Sequence, residues 1–109
     1  MSFVHMVSFK FSPTATEADK LDWIGSLNDI VTIPNVLRVV HGTNVAGRSK
    51  DEFNYGLLVE FTTEEAEHAY QTHSVHLAVI AKLKKIALTG DNLGPSVHVV
   101  DFAVPAATL

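Results

Sequence analysis

The chain contains no cysteine, which removes disulfide staples, thiolate zinc sites, iron–sulfur clusters and cysteine nucleophiles together. Stability has to come from packing. Positive charge is also scarce, with eight Lys and Arg against twelve Asp and Glu for a net charge of -4. Because a polyanionic backbone is bound by an excess of basic residues, no nucleic-acid partner is expected. No apolar run approaches the roughly 18 residues of a membrane span. The opening MSFVHMVSFKF lacks a basic segment leading into a long apolar stretch. No membrane partner is expected, and a cytoplasmic setting is the default. A phosphate-cradling GxxxxGKS/T loop, a GxGxxG turn after a strand and a GxSxG elbow are all missing. Nucleotide-dependent and serine-hydrolase chemistry therefore have no support.

What is present makes a core: 47% hydrophobic, 18% charged and 8% aromatic residues in 109 positions, close to the globular average. That length predicts one compact domain over residues 1–109. Phe3 to Phe11 alternates, with Phe3, His5, Val7, Phe9 and Phe11 on one side and Val4, Met6, Ser8 and Lys10 on the other, which predicts a half-buried strand. After Pro13, the run Thr14 to Glu17 has capping-box spacing and opens a helix. Its apolar stripe is Leu21, Ile24, Leu27 and Val31, widened by Trp23 and Ile30, and Pro34 closes it. Val36 to Val45 predicts a second strand, and the polar stretch Ala46 to Asn54 a surface loop. A third strand follows, with Tyr55, Leu57, Val59 and Phe61 on its apolar side.

Thr62 and Glu65 repeat the capping spacing and start a helix that runs to about Tyr70. Thr72, His73 and Ser74 interrupt it, and a second helix extends from Val75 to Leu88. Val97 to Val104 is the last strand, with Val97, Val99 and Asp101 on one side and His98, Val100 and Phe102 on the other. The tail from Pro105 to Leu109 has little to pack against. Strand, helix, strand, strand, helix pair, strand predicts an α+β domain of ferredoxin-like type, a split βαβ with a four-stranded antiparallel sheet. The helices cover one sheet face. Met6, Leu58, Val100 and Phe102 remain on the other, an apolar patch that a homodimer through the sheet face would bury.

Of the six histidines, His5 points toward the helices among apolar residues. Tyr70 closes one helix and His76 opens the next, with His73 in the corner between them. An imidazole near its unperturbed value takes a proton at neutral pH, while a phenol stays protonated and donates to a developing oxyanion. The pair suits base and oxyanion donor. Two histidines three apart, His73 and His76, also match a zinc spacing, but no HExxH pattern or cysteine accompanies them, so no metal and no cofactor is expected. His41, His68 and His98 read as structural or solvated. A pocket between sheet and helices is predicted, with catalytic Tyr70, His76 and His5 and a lining of Val7, Phe9, Trp23, Leu27, Tyr55, Leu57, Val59, His73, Val79, Ile80 and Val97. Mostly apolar walls with a few polar tips suit a small hydrophobic or aromatic molecule.

VHMVSFKF on the first strand, IPNV followed by HGTNV, VEF and above all AYQTHSVH carry a resemblance to the stress-responsive dimeric α/β-barrel (Dabb) family, from Val4 to Phe102. The last motif matches a family pattern of tyrosine, two variable residues, histidine, usually proline, one residue, histidine. Ser74 stands where that proline would be. The resemblance implies a ferredoxin-like domain that pairs sheet to sheet into a homodimeric α/β barrel. Among members, a plant polyketide cyclase closes a ring by aldol-type chemistry with a tyrosine and a histidine that align with Tyr70 and His76. A first-strand histidine there aligns with His5, and Tyr55 replaces a third-strand histidine. The implied function is a cofactor-free acid–base cyclase or lyase acting on a polyketide-like or aromatic carbonyl compound. Other members are known only for induction under stress, which leaves a non-enzymatic dimer or a ligand-binding protein as the alternative.

Overall fold

The computed structural model describes residues 1–105; positions 106–109, most of the tail read as unpacked, lie outside them. The chain runs β1 (Ser2–Phe9), α1 (Glu17–Leu27), a 3₁₀ turn (Asn28–Thr32), β2 (Val36–Thr43), β3 (Tyr55–Phe61), α2 (Glu64–Gln71), α3 (Ser74–Leu83), a second 3₁₀ turn (Gly94–Ser96) and β4 (Val97–Val104). The strands form one antiparallel sheet in the order β2-β3-β1-β4. This is the ferredoxin-like fold. Phe3, His5, Val7 and Phe9 pair with Phe61, Val59, Leu57 and Tyr55 across the β1–β3 ladder, so strand alternation puts all eight side chains on the helix-covered face.

The core lies between that face and the helices. Trp23, Leu27, Ile30, Val59, Phe61 and Ile86 are wholly inaccessible to solvent, and Trp23 meets the rings of Phe9, Phe11 and Tyr55 edge to face. The buried stripe of α1 is therefore Trp23, Ser26 and Leu27, continued by Ile30 in the 3₁₀ turn. Leu21 and Val31, expected in the stripe, are exposed. Trp23 decides this rotation because it is the largest apolar side chain available to bury.

Element ends differ from expectation wherever a neighbouring residue offers a better local hydrogen bond. The α1 cap is Thr16, whose Oγ1 accepts from the Asp19 amide at 3.1 Å, while Thr14 is drawn into a turn by Ser12. Similarly, Thr63 rather than Thr62 caps α2, accepting from the Ala66 amide, while the Thr62 amide donates to the Asn35 carbonyl. Strand β1 stops at Phe9, leaving Phe11 an isolated bridge to Ala87. Helix α3 ends at Leu83 rather than Leu88, where the chain turns to make that bridge. Among the described residues, no helix is long and apolar enough to cross a membrane.

Candidate acid–base site

The α2–α3 corner forms because His73 caps α3 with its own ring, Nδ1 accepting from the Val75 amide at 3.1 Å. Helix α2 ends one turn earlier, leaving the Gln71 carbonyl without a helical partner. His76 Nδ1–H donates to it at 3.0 Å. A neutral imidazole with a proton on Nδ1 presents Nε2 as an acceptor, so helix termination fixes the tautomer. The His76 ring lies against Tyr70, with centroids 4.1 Å apart and planes 33° from parallel. Phe61 and His5 pack against the same phenol, at 5.1 Å and 5.8 Å between centroids.

Burial holds His76 below the usual histidine range, against an opposing pull from the Gln71 carbonyl. For Tyr70, burial and then the nearby Glu67 charge push the phenol well above its ordinary value. One environment thus favours a neutral imidazole and a protonated phenol side by side, the protonation states that a base and an oxyanion donor require. Among the described residues the Tyr70 hydroxyl has no hydrogen-bond partner, although the side chain is buried.

His5 completes the group. Its Nδ1 lies 2.6 Å from Asp101 Oδ1, a contact made because His5 and Asp101 are direct cross-strand partners on β1 and β4. Strand alternation already separates Asp101 from its neighbour His98, and reading it across the sheet rather than along the chain would have found the pair. Glu67, almost fully buried, stands one helical turn before Tyr70 on the same face of α2. Gln71 Nε2 donates to both its oxygens, at 2.6 and 2.9 Å. Neither Glu67 nor Gln71 was picked out in the sequence.

Tyr55 does not join this group. It pairs with Phe9 whereas His5 pairs with Val59, a separation of four residues, or roughly 13 Å along the strand. Its hydroxyl bonds His41 Nδ1 at 2.7 Å, and His41 Nε2 bonds Asn28 Oδ1 at 2.8 Å. His41, read as structural or solvated, therefore belongs to a second polar network at the other end of the sheet. Val7, Phe9, Trp23, Leu27, Leu57, Val59 and Val79 are core residues, with Ile80 and Val97 half-buried at its margin. His73 serves as a helix cap. The buried side chains form one hydrophobic cluster between sheet and helices. Depressions of about 640 and 950 Å³ lie instead on the open sheet face around Met6, Val40 and Leu58, and beside α1 between Phe11, Ile24 and the loop at Lys50 to Asn54. Toward the β4 edge Asp101 is exposed and His5 and His76 are half-buried, while Tyr70 itself is buried.

Many solved structures share the fold, three of them as follows. A dimeric ferredoxin-like protein of unknown function from Jannaschia sp. CCS1 superimposes with a TM-score of 0.79 at 24% identity, over 95% of this chain and 100% of that one. Another such dimeric protein, from Thermobifida fusca, gives 0.72 at 21% identity over 95% and 92%. A hydroxynitrile lyase from Passiflora edulis gives 0.74 at 11% identity over 96% and 94%. No curated protein matches the chain. The model of the stress-responsive A/B barrel domain matches residues 3–104, and with the AYQTHSVH corner, the split βαβ sheet and the uncovered face in place, the chain belongs to that family.

Proposed function

We propose that the protein is a small-molecule enzyme, a cofactor-free acid–base cyclase or lyase acting on a polyketide-like or aromatic carbonyl compound, and that it works as a homodimer joined through the open sheet face. The observation that carries the reading is the Tyr70–His76 stack, with His76 Nδ1 tied to the Gln71 carbonyl. His76 Nε2 removes the proton beside a carbonyl, and the Tyr70 hydroxyl donates to the oxygen as it becomes an enolate. Attack of that carbon on a second carbonyl forms the ring bond, and the resulting alkoxide is protonated by His5 or by the His76 imidazolium. Asp101 orients His5 for this role. One structural neighbour is a hydroxynitrile lyase, a fold-level analogy that places lyase chemistry on this scaffold in another protein.

The test is exchange of α-protons for solvent deuterium in a panel of aryl ketones and β-dicarbonyl compounds, followed by NMR. Exchange above the buffer rate that is lost in His76→Ala supports the reading; exchange equal in both chains overturns it. The alternative, a non-enzymatic ligand-binding or stress-associated dimer, draws on the two depressions lying away from Tyr70.

A further inference from the structure

We propose that Glu67, His5 and Asp101 form a binding site for a divalent transition-metal cation. The three come from α2, β1 and β4, yet one ligand atom of each lies within 4.8 Å of the other two. Convergence from three elements distinguishes the set from an acidic patch along one helix. Glu67 supplies a second, independent reason. It is a carboxylate with only 3% of its surface exposed, and its one side-chain partner is the neutral Gln71 amide.

Among the described residues no Lys or Arg pairs with Glu67 or Asp101; the basic side chains in ion pairs reach Glu17, Glu60 and Asp22. Two carboxylates face a single imidazole, so even a charged His5 leaves the group net negative. Burying uncompensated negative charge is costly, and a doubly charged cation cancels it. Oxygen donors alone would suit calcium or magnesium, whereas one imidazole with two carboxylates suits manganese, iron, cobalt or zinc. Three protein ligands leave positions open for water or a small oxygen ligand. The Gln71 amide on Glu67 is the kind of outer hydrogen bond that orients a ligating carboxylate. The cation would replace the direct contact between His5 Nδ1 and Asp101 Oδ1. This site is distinct from the His73 and His76 spacing considered in the sequence, because His73 Nδ1 is occupied as a helix cap.

The test uses the full-length chain with Zn²⁺ in calorimetry and Mn²⁺ in NMR. The expected result is one Zn²⁺ per chain and Mn²⁺ line broadening centred on positions 5, 67 and 101, with Glu67→Gln and Asp101→Asn each weakening binding by about tenfold or more. His68→Gln, on the solvated face of α2, should leave affinity unchanged. Absence of saturable binding, or equal affinity in Glu67→Gln and Asp101→Asn, overturns the proposal. So does broadening of the unsubstituted chain centred elsewhere, a readout that needs no variant to fold. Only ion binding is measured, so the outcome is independent of the carbonyl chemistry proposed above.

Discussion

At the scale of single residues, the account rests on two rings whose protonation states are set by their surroundings. His76→Ala should lower turnover by about 10²- to 10⁴-fold, and Tyr70→Phe, which keeps the ring and removes the donor, by about 10²-fold or more. The acid limb of the rate profile should lie below the ordinary histidine value of 6.5, because burial favours neutral His76. The same shift makes a stability prediction. A folded state that binds fewer protons than the unfolded chain gains stability as pH rises, so acidification through 6.5 and below should destabilise the protein. Chemical denaturation of His76→Gln across this range should show a shallower loss. The contact between Tyr70 and His76 was legible in the sequence because their spacing across one helix break survives in one dimension, and the face of His5 because strand alternation does. Asp101 and Glu67 were not, since a cross-strand partner 96 positions away and a buried charge on a helix rich in surface glutamates leave no local pattern.

At the scale of elements, the α2–α3 corner generates the site, for only a helix that stops at Gln71 leaves a carbonyl to hold His76. His73→Ala removes the cap of α3 and should cost about 1 kcal/mol in thermal or denaturant unfolding, as should Thr63→Ala at the start of α2. If His73 were a substrate contact instead, its loss would alter KM with stability unchanged. Strand identities and faces were readable because alternation has a period of two and survives small errors at the ends. Helix starts were displaced by one or two residues, since neighbouring threonines offer equivalent caps. Tyr55 lies apart from Tyr70 and His76 for a different reason: facing the helices fixes a face, but position along the strand fixes the neighbours.

At the scale of the whole molecule, one sheet face is packed and the other is bare. Met6, Val40, Val100 and Phe102 each expose between 42% and 50% of their surface there, with the Arg38–Glu60 pair toward one end. Such a patch on a small domain calls for a partner. Val100→Lys should therefore shift the sedimentation mass from two chains to one, because a charge buried without a counterion costs several kcal/mol. Trp23→Ala, at the centre of the packed face, should cost about 3–5 kcal/mol of folding stability. The most direct measurement of the central claim is chemical-shift mapping of an isotope-labelled chain with the panel of aromatic carbonyl compounds. Perturbations centred on His5, Tyr70, His76 and Asp101 are predicted. Perturbations confined to the open sheet face, or to the groove between Phe11 and the Lys50 loop, would contradict the account.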